Sequence, residues 1–256
     1  MMQMKIMSFN VRCENSSDTG VNTWQSRREA VLAMFAEHKP DICGVQEAKL
    51  AQKNYLDQGL AGYKSIGVGR DDGAEKGEFM SIYYLENSLK PKTWGTFWLS
   101  QSPSIPSKGW DANIFRTATY AIFTHIESGK FFFIINTHLD HMGTLARTKS
   151  AELLIEKSKT LNPENYPMVL IGDFNMTTDD ANFDIIKAFM GNAHADSPVT
   201  DNIDSFNFWG KGGETIDYIF YRGFTPLRFQ TINKPYLGID YISDHFPIMA
   251  ELQISV

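Results

Sequence analysis

An apolar run over residues 4–11, with Ile6, Phe9 and Val11 as its heavy side chains, predicts a buried first strand. Ser26-Arg27-Arg28-Glu29 fits a capping box; Ala30, Val31, Met34 and Phe35 then recur at helical spacing, and Pro40 stops the helix. A short apolar strand over 41–46 ends in Glu47, and residues 50–60 read as a helix. Strand-like runs follow at 63–68, 79–85 and 93–99. Residues 100–113 (SQSPSIPSKGWDAN) make a polar loop whose length points to function or mobility. Residues 115–126 and 130–139 read as paired strands around Glu127-Ser128-Gly129. A helix is expected over roughly 144–160, and a buried strand over 168–171 runs into Gly172-Asp173-Phe174-Asn175. Thr177-Thr178-Asp179-Asp180 can cap the next helix, to about 190, and the last strands fall at 215–221, 227–232 and 246–254.

Helices separate only some of these strands, so the strand-turn-strand stretches predict antiparallel pairing. No repeat, linker or shift of composition divides the chain, and one domain over residues 1–256 is the economical expectation. The strands are too many for one comfortable sheet. Two sheets packed face to face, with helices on their outer faces, satisfy the burial requirement and give an α/β sandwich.

Composition narrows the class. Aromatics at 13% can build a core, which excludes disorder. Two cysteines are too few for a disulfide scaffold, and Cys13 and Cys43 are expected to be buried, reduced thiols. The net charge is 24 − 30 = −6, which argues against a protein that coats duplex DNA. No apolar run approaches the ~18–20 residues of a membrane span. The opening Met1-Met2-Gln3-Met4-Lys5 runs straight into the first strand without a cleavable leader. A cytoplasmic location is the default expectation, with secretion or the periplasm open if a leader has been removed. No obligate protein partner is implied, and a monomer is expected.

The chemistry lies at strand ends. Polar groups follow an apolar strand at Asn10, at Glu47, at His138 with Asp140 and His141, at Asp173 with Asn175, and at Asp244 with His245; Asp217 interrupts a sixth strand. Carboxylates are costly beside apolar strands unless paired or metal-bound. If the tips converge, Glu47, Asp173 and Asp244 share one small volume, and their repulsion calls for a cation or a shared proton. Each residue alone has an ordinary explanation: a turn amide, a surface acid, an Asx turn, a structural histidine. Those explanations would have to hold together, in order, at five strand ends. His38, His125, His141 and His194 read as bystanders. The oxygen ligands Glu47, Asn10 and Asp244 suit a hard cation, Mg²⁺ or Mn²⁺ and also Ca²⁺. Zinc held through His138 and His141 is the competing reading, disfavoured because no thiolates accompany them.

Ser8-Phe9-Asn10-Val11-Arg12, Gln46-Glu47, Thr137-His138-Leu139-Asp140, Gly172-Asp173-Phe174-Asn175, Ile216-Asp217-Tyr218-Ile219 and Ser243-Asp244-His245-Phe246-Pro247-Ile248 together resemble the motif series of the endonuclease/exonuclease/phosphatase superfamily. The resemblance implies a four-layer α/β/β/α sandwich with two mixed, mainly antiparallel sheets, magnesium dependence and phosphoester hydrolysis. It implies Glu47 as the main metal ligand, with Asn10, Asp173, Asn175 and Asp244 completing or adjoining the shell. His245 is then the general base or a phosphate ligand oriented by Asp217, and His138 donates to the phosphoryl or leaving oxygen. Asn175 orients the attacking water or the phosphate. Arg116, and more weakly Arg147, match a phosphate-clamping arginine, with an ordinary ion pair as the other reading of Arg116. Trp110, in the long polar loop, is the aromatic best placed to touch substrate. The motifs look most like bacterial members, and the function they imply is a phosphodiesterase acting on nucleic acid or a small phosphorylated compound. A catalytically silent binding module, or a lipid- or sugar-phosphate hydrolase, is the alternative.

Overall fold

A computed structural model of the chain describes residues 2–254. In chain order its elements are β1 (Met2–Asn10), α1 (Trp24–His38), β2 (Ile42–Lys49), α2 (Leu50–Gly59), β3 (Tyr63–Ile66), β4 (Glu78–Leu85) and β5 (Leu89–Trp98). They continue as β6 (Thr117–His125), β7 (Phe131–His138), α3 (Thr144–Leu161), β8 (Met168–Asp173), α4 (Ala181–Lys187), β9 (Gly191–Asn192) and α5 (Ala193–Asp196). Strands β10 (Asp217–Arg222), β11 (Thr225–Thr231) and β12 (Ile248–Ile254) close the chain. Two six-stranded sheets result, ordered β11-β12-β1-β2-β4-β3 and β5-β6-β7-β8-β10-β9.

Period-two alternation assigns the layers. In β1, Met2, Met4 and Ile6 join a core between the sheets, whereas Met7 and Phe9 face α1. In β7, Phe132 and Ile134 point to the opposite sheet while Phe133 and Ile135 pack under α3 and α4. Helix α1 buries Trp24, Ala30, Val31, Met34 and Phe35 on one stripe against the first sheet. Helices therefore cover both outer faces, and the expected four-layer sandwich is what forms. No helix among the described residues is long and apolar enough to cross a membrane.

One parallel pair sits at the centre of each sheet: β1 with β2, joined through α1, and β7 with β8, joined through α3. Other neighbours are antiparallel. A parallel pair ends both its strands at the same edge. An antiparallel neighbour starts where they end. Asn10, Glu47, His138 and Asp173 thus lie at the finishing edge, and Asp217 begins β10 opposite Asp173 in register. Just beneath this edge the sheets meet through polar groups. Asn136 donates to Val45 O (3.1 Å) and Ser81 O (2.9 Å) and accepts from Gln46 Nε2 (2.6 Å) across the interface. An unbonded buried amide costs ~1–3 kcal/mol, so these bonds let a polar pair sit inside the core and fix the sheets' relative placement. Gly44 makes the close approach feasible: a Cβ there would lie 2.6 Å from Ile171 Cδ1.

Element boundaries differ from the pattern in physically informative ways. Helix α1 starts at Trp24 behind Thr23, because a 3₁₀ turn over Gly20–Asn22 leads straight into it. Ser26 is already helical, and its hydroxyl bonds Gly20 O (3.1 Å) instead of capping. Strand β5 begins at Leu89 rather than 93; Pro91 and two lysines, Lys90 and Lys92, hide it, and an edge strand tolerates both. Helix α4 ends at Lys187, and β9 with α5 follow it, neither legible in the pattern. Its cap is Asp180, which accepts from Asn182 N (2.9 Å). Both cysteines are free; Cys43 is buried as expected, but Cys13 is half-buried at the edge of the cleft described next.

Candidate active site

A cleft of about 560 Å³ opens at the edge where the central strands finish. Parity explains why the polar tips meet there. Asn10, His138, Asp173 and Asp217 continue the inward-facing rows of their strands, beyond Ile6, Ile134, Ile171 and Ile219. Glu47 does not: it shares parity with Cys43 and Val45, which face α1. The strand bulges between Val45 and Ala48, and Glu47 takes a left-handed backbone (φ 67°) that turns its carboxylate into the cleft.

Hydrogen bonds join the tips into one network. Asn10 Nδ2 donates to Glu47 Oε1 (2.9 Å) and Asp173 Oδ2 (3.0 Å). Its Oδ1 accepts from Arg12 N (2.9 Å), so Asn10 bridges the carboxylates through nitrogen rather than offering them an oxygen. Glu47 Oε2 accepts from Cys13 N (2.9 Å). His245 Nδ1 lies 2.8 Å from Asp217 Oδ2, which sets the proton on Nδ1 and turns Nε2 toward Asp173, 3.7 Å away. Asn175 donates its two amide protons to His138 Nε2 (2.9 Å) and Leu139 O (3.0 Å), leaving Oδ1 as the oxygen it can offer. Asp244 stands apart from this inner set, 3.4 Å from Arg12 and bonded by Ser243 Oγ (3.2 Å).

The electrostatics are those of crowded, buried carboxylates. Burial, with Asp217 nearby, pushes Asp173 up to about 7, although His245, Asn10 and the Asn175 amide resist. Burial and Glu47 likewise push Glu78 up to about 7. Burial also opposes the charge on Glu47, yet the Cys13 and Asn10 amides outweigh it and hold that carboxyl below its ordinary value. Burial works against the His245 cation; Asp217, helped by Asp173 and Asp244, overcomes this and raises the imidazole to about 10. Burial and Arg116 drive His138 the other way, well below the usual range, so it is neutral.

One ligand atom from each of Glu47, His138 and Asp173 lies within 4.8 Å of the others, and so do atoms of Asp173, Asp217 and His245. His138 Nδ1 and Asp217 Oδ1 are buried without a hydrogen-bond partner. Excess carboxylate, the unpartnered Asp217 Oδ1 and an oxygen-rich donor set fit a hard divalent cation.

Arg116 reaches the cleft as expected. Its Nη2 meets His141 Nδ1 at 3.1 Å, and Nε is 3.5 Å from Asp140, so Arg116 forms an ordinary ion pair while it lines the cleft. His141, read as a bystander, also lines the cleft. Arg147 and Trp110 are not brought to it. Arg147 bonds Asp140 O (3.1 Å) and Trp110 N reaches Gln101 Oε1 (3.3 Å), both outside the lining. The pattern missed Arg12, Glu78, Phe206 and Glu214, all of which line the cleft beside Phe208 and Trp209. The ring of Trp209 lies 5.7 Å from the guanidinium of Arg27, which is fully buried. Only Arg12, inside the first motif, carried a usable signal; the others depend on how loops fold back.

Known proteins share this fold. The model of the Endonuclease/Exonuclease/phosphatase family matches residues 7–245. A crystal structure of an endonuclease/exonuclease/phosphatase from Bacteroides vulgatus is 33% identical, covers 100% of both chains and superposes with a TM-score of 0.94. A mannosyl-6-phosphatase of Bacteroides thetaiotaomicron VPI-5482 is 34% identical over 97% of this chain and 99% of its own, with a TM-score of 0.93. D. rerio TDP2 complexed with single strand DNA product shares the fold (TM-score 0.78, 98% of this chain and 99% of that one) at 20% identity.

Proposed function

The chain belongs to the Endonuclease/Exonuclease/phosphatase family, and we propose that it hydrolyses phosphate esters of small compounds with a divalent cation, Mg²⁺ or Mn²⁺. The observation that carries this reading is the inward convergence of Glu47, His138, Asp173, Asp217 and His245 at the floor of one cleft beside Arg116. Glu47, Asp173 and Asn175 Oδ1 would hold the cation, with Asp244 adjoining. When bound, it supplies charge neutralisation for the phosphoryl group and lowers the pKa of water.

The chain's own groups divide the remaining work. Arg116 meets the phosphate with a planar fork and little freedom to move, because Asp140 and His141 hold it. His245, oriented by Asp217, presents Nε2 to the cavity, where it exchanges a proton with water or a phosphoryl oxygen. Neutral His138 accepts from Asn175 at Nε2, which fixes the ring beside Asp173 at the cleft floor. Asn10 keeps the two carboxylates in register.

A small phosphate ester is favoured over a polynucleotide by three features. The net charge is −6, Glu78 and Glu214 line the same cleft, and the 34% identical relative is a mannosyl-6-phosphatase. The test is turnover with Mg²⁺ or Mn²⁺ across sugar phosphates, bis(4-nitrophenyl) phosphate, sphingomyelin, single-stranded RNA, and single- and double-stranded DNA, each with an EDTA control. Glu47→Gln and His245→Ala should stay folded and lose roughly 10²–10⁴-fold in rate. Excess cation should raise the wild-type melting temperature; at 100 times Kd the gain is ~2.7 kcal/mol. Wild-type rates in both variants refute the assignment, and faster turnover of DNA than of sugar phosphates makes the protein a nuclease.

A further inference from the structure

The cleft is far larger than a phosphate and its cation require, and its lining is chemically mixed. Arg116 and His141, bonded to each other, belong to it, and so do Phe206, Phe208, Trp209 and Glu214, which add aromatic surface and a carboxylate. Phe208 is 51% exposed, an unusual state for an aromatic whose nearest ring neighbour, Phe206, is 5.7 Å away. Water-exposed aromatic surface beside a reaction centre is surface for a ligand to cover.

This wall is fixed to the reaction centre. Asn207 N and Phe208 N donate to Asp244 O (2.8 and 3.2 Å), and Asn207 Nδ2 donates to Ser243 O (3.2 Å). Asn207 Oδ1 accepts from Trp209 N (2.8 Å). The Phe206 ring lies 4.9 Å from the His245 ring, tilted by 54°. Beneath Trp209, the buried Arg27 bonds Arg12 O (2.7 Å) and Ile242 O (3.0 Å), tying both flanking loops to α1. Phe208 and Trp209 keep left-handed backbones (φ 46° and 58°), a conformation that holds only where surroundings enforce it. Glu214 joins through reciprocal backbone bonds with Phe206 (2.9 and 3.1 Å), which set an exposed carboxylate beside the aromatic faces.

We infer that Phe208, Trp209 and Glu214 form the subsite for the alcohol portion of the substrate, and that this portion is a neutral, polyhydroxylated ring. An aromatic face takes the C–H side of such a ring, and a carboxylate accepts its hydroxyl protons. The same carboxylate repels a leaving group that carries further phosphates, which separates a sugar phosphate from an oligonucleotide. The inference rests on the phosphoesterase reading above and adds which alcohol the site selects.

The experiment compares hexose 6-phosphate, glycerol 3-phosphate and a nucleoside 5′-monophosphate on wild type, Trp209→Ala and Glu214→Ala. Wild type should favour the hexose over the acyclic glycerol ester at least tenfold in kcat/KM. Trp209→Ala should cut that ratio about tenfold, chiefly through KM, and Glu214→Ala at least threefold. Glu214 is exposed, so its variant tests the idea even if Trp209→Ala folds poorly. A ratio unchanged within twofold in Glu214→Ala and any folded Trp209→Ala, or a preference for the nucleotide, overturns the subsite. Saturation-transfer NMR of hexose 6-phosphate in EDTA separates this outcome from failure of the phosphoesterase reading. Transfer to ring protons that weakens in the folded variants keeps the subsite even where wild type turns over no ester; transfer that is absent from wild type or equal in all proteins removes it.

Discussion

Replacing Asp217 tests how the site controls its histidine. Asp217 Oδ2 and His245 Nδ1 are 2.8 Å apart, and both side chains are almost wholly buried. A hydrogen bond to a charged partner contributes roughly 1.5–3 kcal/mol, against about 1 kcal/mol for a neutral one. Asn at this position can still accept from Nδ1–H with its oxygen, because the other carboxylate oxygen has no partner to lose. Asp217→Asn therefore removes about 0.5–2 kcal/mol, or roughly 2–30-fold in kcat, whereas Asp217→Ala removes the whole contact and about 10–150-fold. The ionisation gives a second readout. Asp217 outweighs burial to hold the imidazolium up to about 10, so in EDTA the His245 ring resonances should titrate near there in wild type and lower in Asp217→Asn. A raised folded-state value means that the pair's stabilisation is complete below the free-histidine value of 6.5 and disappears as pH rises through about 10. The stability gap between wild type and Asp217→Asn should shrink over that window. Rates within twofold of wild type in both variants, with an unshifted titration, would show that Asp217 neither orients nor charges the ring.

Two further changes probe the frame around the site. Burial opposes ionisation of Asp140, but the amides of Gly143, Asn113 and Met142, with Arg116, hold it down to about 2. Its stabilising contribution is present above the ordinary carboxylate value and is lost as pH falls toward 2; Asp140→Asn should flatten that acid limb by roughly 1–2 kcal/mol after solvent screening, read by urea unfolding between pH 2 and 6. Gly172 has φ 150° and a Cβ there would sit 2.0 Å from Thr137 O, so Gly172→Ala should cost ~3 kcal/mol or more; an unchanged urea midpoint contradicts the close strand approach.

The sequence made the tips at Asn10, Glu47, His138 and Asp173 legible because each is a local event: apolar residues run out and a carboxylate, amide or imidazole follows; Asp217 instead opens β10, and Asp244 and His245 precede β12 where the pattern expects them to end a strand. It made the layers legible because alternation and helical spacing are local too. Glu47 shows where that logic stops. Strict alternation sends its side chain to the helix layer, and only the bulge at Val45–Ala48 reverses it. No single residue announces a bulge that needs Phe79 and Ser81 of β4 to define it. Trp110 lies outside the cleft lining for a related reason: the length of its loop points to function or mobility but not to where Asp111 ties it, at the start of α3 through Ala146 N (2.6 Å). Arg27 stands in the sequence only as part of a capping-box pattern, and its burial follows from the carbonyls of Val11, Arg12 and Ile242, which distant segments supply.

These misses share one cause and point to one design. The reactive floor is built from strand ends, whose positions follow from sheet pairing and are insensitive to loop sequence. The aromatic wall is built from a loop after α5 that folds back onto the 242–245 segment, and its placement depends on Asn207 and Arg27, residues without reactive chemistry. Floor and wall are joined at Asp244, whose carboxylate adjoins the first through Arg12 and whose carbonyl holds the second. A substitution in the wall can therefore change which ester is chosen while leaving the floor's bonds intact, but only if it spares Asn207. Asn207→Ala frees Trp209 N and the Ser243 carbonyl together, and should reduce both selection and rate, unlike a change at Glu214.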